Sequence, residues 1–532
     1  MKKKTFGVLL IILLANSYLF AQTINNQTIK LWRSFDIISN FYVDTVNEDK
    51  LVENAIIELI KQLDPHSSYL TPKEVKDMNE PLQGNFEGIG VSFNIFNDTI
   101  YVISPIIGGP SEKAGIIAGD RIIKVNGKNV AGIGITNKDV FSYLRGKKGT
   151  SVTVSIKRRG EKELIDFPLI RDKIPIYSID ASYRVNNTGY IKLARFASTT
   201  TKEFEEAIKK LTATGPLSGL ILDLTDNGGG YLEEAVNLVD HFLNKNKLIV
   251  YTQGTHSLRN EYKSTEKGMY ENGNVVIMID EGSASASEIL SGAIQDWDRG
   301  IIVGRRSFGK GLVQRPFPLN DGSMLRLTVA RYYTPSGRCI QKAYKPGDED
   351  YDKDLINRYN SGELTNKDSI HFPDSLKTYT LNNKRIIYGG GGIMPDIFIP
   401  IDTNSYPAFY RDVIRKGTLN RFVLRYVDEN RKEINTRYPN FNTFAENFEV
   451  DEKIFSQFVE FSTNDSIKIK QPEVENSKKS ISQLIKANIA RDIWTSTEFY
   501  QIFNTNDPIY RKAFDIMENW DVYKNNLKLG QL

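Results

Sequence analysis

The chain of 532 residues carries 69 Lys and Arg against 65 Asp and Glu, a formal net charge of +4, and a single cysteine, Cys339. At about 150 residues per domain, that length allows three or four domains with sizeable cores. One cysteine excludes an intrachain disulfide and the zinc, iron–sulfur and CxxC chemistries that need clustered sulfur, while 40% hydrophobic and 25% charged residues are ordinary for a globular protein.

The chain opens with the basic MKKK, an uncharged apolar stretch TFGVLLIILLANSYLF, and Ala21 before Gln22. Residues 1–21 therefore read as a secretory signal peptide, with an uncleaved membrane anchor as the alternative. Losing Lys2, Lys3 and Lys4 takes the charge from +4 to +1, which removes the electrostatic argument for a nucleic-acid partner. Residues 22–83 form a helical region, with Leu31, Phe35, Ile38, Leu51, Ala55, Ile56, Leu59 and Ile60 on one face. LDPHSSYLTP interrupts it. His66 in that turn has no acidic partner at ligand spacing and reads as a packing or hydrogen-bonding residue.

Residues 84–172 change to short strands and glycine turns, the pattern of a small β-rich module with one or two helices. Gly88-Ile89-Gly90-Val91 at its start reads either as a simple turn or as a nest of N–H groups for a peptide carboxylate. From about 187 to 335, strands alternate with helices: GYIKLARF, TTKEFEEAIKKLTAT, GLILDL, EEAVNLVDHFL, NVVIMID, ASASEILSGAIQDW and GIIVG. This predicts an α/β layer of parallel strands with a site at their carboxyl ends, where the loops TDNGGG and EGSAS follow two of them. The expected core spans 173–402, with a polar insertion or flap at about 341–390. Residues 403–532 read as a helical region, glycine-free from 418 to 529, with 471–480 as a linker.

Ser283, Ser285 and Ser287 alternate with alanines at a predicted strand-to-helix turn. Ser285 and Glu288 have the spacing of a capping box, a purely structural use. A helix N-terminus also stabilises an oxyanion, and a serine nucleophile there needs a base. None of His66, His241, His256 and His371 lies in a loop that pairs evidently with these serines. Lys310, in SFGKG after GIIVG, is the alternative, provided that burial lowers its pKa. Gln314 can hold it in position. Asp296, eleven residues after Ser285, lies about 16 Å along a straight helix and reads as a supporting or capping residue. Gly304-x-x-x-x-Gly309-Lys310 imitates a phosphate-binding loop. Gly311 stands where Ser or Thr should bind magnesium, and Pro316 and Pro318 oppose the required helix.

Taken together, LDPHSSYL, FEGIGVSF, GPSEKAGIIAGDRIIKVNG, LRGKKGTSV, GYIKLARF, DLTDNGGG, EGSASASEI, SFGKG and GGGGIMPD resemble the carboxy-terminal processing peptidases, or tail-specific proteases, in order and spacing over residues 60–400. The resemblance implies a multi-domain α+β and α/β protein. It would have a PDZ domain at 84–172, a serine peptidase core with crotonase-like or ClpP-like layers at 173–402, and helical flanks. It implies an endopeptidase with Ser285 as nucleophile, Lys310 as base, Gln314 orienting the lysine, and the N–H groups of Ala286 and Gly229 as oxyanion hole. Glu288 and Asp296 would be supporting residues. Gly88, Ile89, Gly90 and Val91 would receive a substrate C-terminus, and Arg145 matches an arginine that couples peptide binding to the active site in some relatives. Thr225 stands where the family often has arginine. No cofactor is implied. The partners are exposed protein tails in the periplasm or cell envelope of a bacterium, and an adaptor or activating protein and self-association are compatible with the resemblance. The rival is a catalytically silent PDZ scaffold or chaperone-like binder of C-termini.

Overall fold

The computed structural model describes residues 26–266, 268–345, 350–402 and 407–529, so the segment read as a signal peptide lies outside it. Two helices, α1 (Asn26–Phe41) and α2 (Glu48–Lys61), lead into the LDPHSS turn and a short strand, β1 (Ser68–Leu70). Helix α3 (Pro72–Gln83) begins on a capping box between Thr71 and Glu74, with Pro72 in the first turn, where its missing N–H costs nothing.

The β-rich module is framed by β2 (Asn85–Gly88), which pairs with the strand that leaves the module, Asp172–Pro175. Between them β3 (Val91–Phe96), β4 (Thr99–Pro105), β5 (Arg121–Val125), β6 (Ser151–Lys157) and β7 (Ile165–Ile170) form an antiparallel sheet in that order. Helix α4 (Asn137–Leu144) buries Val140 and Leu144 against Ile100, Val102, Ile122 and Val154. Strand β3 is the edge of this sheet.

In the core, β8 (Ile179–Val185) runs antiparallel to β9 (Thr188–Leu193), and β10 (Gly219–Asp223), β11 (Asn274–Ile279) and β12 (Ile301–Gly304) follow in parallel. Both faces are covered, which accounts for the continuous apolar runs. Leu220, Leu222, Val275 and Ile277 face the helices α5 (Thr200–Thr212), α6 (Leu232–Asp240) and α7 (Ala286–Asp296). The alternate residues Ile221, Val276 and Met278 face Ile509, Ala513 and Ile516 of the C-terminal helix Pro508–Glu518. A Cβ on Gly219 would lie 2.4 Å from Met517 Sδ, so that helix packs directly on the strand. The parallel core is thus the one the alternation predicts.

Sequence reading missed a second sheet. The strands β13 (Leu312–Pro318) and β14 (Met324–Tyr333) pair with each other, β14 also pairs with β1, and Leu248–Gly254 and Ser257–Lys263 extend it. Pro316 and Pro318 lie on β13, which pairs on one side only, where a missing donor is tolerated. The segment 471–480 is a correction: it begins a 23-residue helix, Gln471–Ile493. Its polar residues are the outer face of a helix that buries Val474, Ser477 and Ile481 in the C-terminal cluster around Phe422, Phe444 and Phe458. Among the described residues no helix is long and apolar enough to cross a membrane.

Candidate active site

Strands β10 and β11 run parallel and end at the same edge, and one carboxylate ties the two loops that follow. Asp280 Oδ1 accepts from Asp226 N (2.9 Å) in the glycine loop and from Gly282 N (3.0 Å) in the serine turn. Burial pushes the Asp280 carboxyl up to about 6, opposed by the Asp226 N–H and assisted by the Asp226 and Glu281 charges. Gly229, at φ +96°, closes the contact: a Cβ there would lie 2.8 Å from Ser285 Cβ and 2.9 Å from Ala286 N. Where the related family often has arginine, Thr225 is served by a buried cation from the next strand. Lys192 Nζ donates to Thr225 O (2.6 Å), Thr225 Oγ1 (2.7 Å) and Asp223 Oδ1 (3.1 Å). A lysine inside a strand buried on both faces was the available signal for that role.

Of the three serines, two are structural. Ser283 Oγ donates to Leu224 O (2.8 Å) and Ser287 Oγ to Asn227 O (2.8 Å), both fully buried. Ser285 precedes α7 at φ +57°, ψ −111°, and forms with Glu288 the capping box that their spacing predicts, Glu288 Oε2 accepting from Ser285 N (2.8 Å). A non-glycine residue in that region is strained, a cost of order 1–3 kcal/mol that the surrounding packing must hold. Ala286 N–H, in the first turn, has no intrahelical acceptor and points with the positive end of the helix.

Glu288 joins this turn to the SFGKG loop. Its Oε2 accepts from Ser285 N (2.8 Å) and Lys310 N (2.8 Å), and its Oε1 from Ser307 Oγ (2.5 Å) and Gly309 N (2.6 Å). The backbone nitrogens of Ser285 and Lys310 are therefore within twice 2.8 Å of each other. Burial raises the Glu288 pKa, and these four donors oppose the shift. Glu288→Gln would turn an NH₂ towards two N–H donors. It is expected to destabilise the fold by about 2–4 kcal/mol, measurable by urea unfolding, and to depress activity.

Lys310 is pushed down to about 8, first by burial and then by the Arg326 charge, against the attraction of Glu288 and Asp64. A lysine so shifted can act as a base near neutral pH. Gln314, four residues after Lys310, is held by its Nε2 donating to Thr328 Oγ1 (3.2 Å), its cross-strand neighbour. Asp296 is fully buried at the far end of α7, paired with Arg338 (2.8 Å) and accepting from Ser336 N (2.8 Å), which is structural support remote from Ser285. His66 hydrogen-bonds Tyr351 OH (2.8 Å), in keeping with a hydrogen-bonding role.

Gly229 and Arg145 each have a partner of their own in this state. Gly229 N–H already donates to Asn227 Oδ1 (2.9 Å), because the Asn side chain folds back across the loop. Arg145 pairs with Glu80 of α3 and sits over the rings of Phe141 (4.5 Å) and Phe86 (4.7 Å). In the Gly88–Val91 loop, Ile89 is buried, its carbonyl accepts from Ser111 N (3.0 Å) and Oγ (2.7 Å), and Gly90 takes φ +76°. The loop is fixed at the head of the open edge β3.

Models of known families match four parts of the chain: peptidase family S41 at 187–349, a PDZ domain at 101–158, the N-terminal domain of the activating protease CtpB at 15–74, and a family of unknown function at 409–496. The carboxy-terminal-processing protease of Bartonella bacilliformis is 37% identical over 379 residues, 68% of this chain and 86% of that protein. The carboxy-terminal processing protease CtpA of Bacillus subtilis is 36% identical over 323 residues, 60% of this chain and 68% of that one. Among solved structures, a photosystem II D1 C-terminal processing protease is 29% identical, covering 60% of this chain and 91% of its own, with a TM-score of 0.34. On the 37% identity to the Bartonella bacilliformis protein over 68% of this chain, together with the peptidase S41 and PDZ matches, the chain belongs to the carboxy-terminal processing protease family of PDZ-containing serine peptidases.

Proposed function

We propose that the chain is an exported endopeptidase that captures protein C-termini on its PDZ domain and cleaves through a Ser285/Lys310 dyad. The observation that carries this reading is the single Glu288 oxygen that holds both Ser285 N–H and Lys310 N–H, which ties the serine turn to the lysine loop. Ser285 Oγ attacks the scissile carbonyl carbon while its proton passes to the neutral Lys310 amine. The C–N bond then breaks as the ammonium returns that proton to the leaving nitrogen, and water, deprotonated by the same lysine, releases the acyl group. Ala286 N–H is one oxyanion donor. Gly229 N–H becomes the other when a substrate oxygen replaces Asn227 Oδ1 as its acceptor. A substrate tail adds as a strand to β3, with its carboxylate at Gly88–Val91.

The test is an unfolded protein with an apolar C-terminus, incubated with wild type and with Ser285→Ala, the fragments read by mass spectrometry. Wild type should shorten it and the variant should not; binding without cleavage by wild type would return the chain to the scaffold reading. In this scheme Arg145 leaves Glu80 when a tail binds, so Arg145→Ala is expected to abolish stimulation of cleavage by added tail peptide. Undiminished stimulation would reduce Arg145 to a strut between Phe86, Phe141 and Glu80.

A further inference from the structure

Two polar chains run from the turn at 64–67 to the segment just after Lys310, one to the Gln314 side chain and one to the Gly311 backbone. In the first, Gln314 Nε2 donates to Thr328 Oγ1 (3.2 Å), which donates to Asp64 Oδ1 (2.9 Å). The Asp64 carboxylate is fixed from its own turn by His66 N (2.9 Å), Ser67 N (2.9 Å) and Ser67 Oγ (2.6 Å), and Thr328 N donates to Ser67 Oγ (3.0 Å). In the second, Gly311 N donates to Gln341 Oε1 (2.8 Å) and Gln341 Nε2 to Tyr351 OH (3.1 Å), which meets His66 Nε2 at 2.8 Å. The Tyr351 hydroxyl thus links Gln341 and His66, accepting from the Gln341 amide on one side. The turn is held down by β1, where Ser68 lies opposite Arg326 of β14.

We propose that Asp64 is a positioning residue of the peptidase centre: through Thr328 it holds Gln314, so the N-terminal helical region completes the surroundings of the lysine base. This rests on the Ser285/Lys310 reading. Asp64 is a carboxylate 7% exposed, and nothing in the PDZ module or the central sheet uses it. Its hydrogen bonds keep it ionised against the cost of burial. The charged groups acting on Lys310 are Arg326 from β14, Glu288 from α7 and Asp64 from this turn, and Lys310 in turn acts on His66 of the same turn. Asp64 and Glu288 favour the protonated lysine, so removing the Asp64 charge eases deprotonation while removing the hydrogen bond loosens Gln314.

The experiment measures kcat and KM of the full chain on a short internally quenched peptide across pH, for wild type, Asp64→Asn, Thr328→Val, Thr328→Ser and Ser285→Ala. Asp64→Asn and Thr328→Val should each lower kcat by about tenfold, the weight of one lost buried hydrogen bond, with KM within about twofold. Thr328→Ser, which keeps the hydroxyl, should restore kcat. Only Asp64→Asn should move the acid limb of kcat/KM to lower pH. If Asp64→Asn does not fold, the Thr328 pair decides: wild-type kcat in Thr328→Val overturns the proposal, as does an unmoved acid limb in folded Asp64→Asn. Activity surviving in Ser285→Ala would overturn the dyad itself, a separate outcome.

Discussion

Ser285→Ala and Lys310→Ala are each expected to abolish cleavage of a protein tail, by at least about 10³-fold, while leaving the fold and PDZ binding intact. The two losses should not add, because each residue acts only through the other. The structural argument is one of elimination as much as of proximity. Ser283 and Ser287 spend their hydroxyls on Leu224 O and Asn227 O, so no neighbouring serine can substitute for Ser285. None of the hydrogen bonds around the turn involves a histidine, and His66 is held by Tyr351 and pushed down to about 4, first by burial and then by Lys310. Alanine at 285 keeps the Glu288 half of the capping box, which is made through the backbone N–H of 285, so α7 should still form. Active-site titration with an acylating inhibitor checks the result: label on wild type and none on Ser285→Ala. Measurable turnover by either variant would mean that another nucleophile or base operates.

The loops of the proposed centre are legible in the sequence because each is local. The turn after NVVIMID, the glycine run after GLILDL and the loop after GIIVG each follow a parallel strand, and parallel strands bring their carboxyl ends to one edge. Sequence reasoning could not see how the parts are held. Gln314 meets Thr328 only because β13 and β14 pair in a particular register, and Asp64 arrives from a turn 264 residues before Thr328. The antiparallel sheet was illegible for a related reason: its strands carry Pro316, Pro318, Arg326 and Arg331, polar or breaking residues that suit an exposed face and blur the alternation on which strand prediction rests. The helix at 471–493 was hidden likewise, since QPEVENSKKS is polar on every face but the one defined by Val474, Ser477 and Ile481. Long-range pairing, not local propensity, decides all three.

The pH dependence of wild type should show the lysine directly. With Lys310 near 8, kcat/KM is expected to rise with pH, level off above about 8, and stand at about one hundredth of its plateau at pH 6, since the neutral amine falls tenfold per unit below its pKa. The same shift has a thermodynamic signature of opposite use. The folded-state pKa lies below the unfolded value of 10.5, so between about 8 and 10.5 the unfolded chain binds more protons and stability rises with pH; below 8 the full penalty of holding a buried charge is present. Lys310→Met should therefore be inactive yet more stable than wild type at pH 7, by about 2 kcal/mol after allowance for residual solvent screening, with the gap closing towards pH 10.5. Urea unfolding at pH 7 and pH 10 measures it. A rate inflection near 6 would assign the titration to Asp280, which braces the two loops, rather than to the base. A Lys310→Met variant less stable than wild type at pH 7 would mean that the ammonium is well solvated, and a lysine kept protonated at neutral pH has no free amine to take the Ser285 proton.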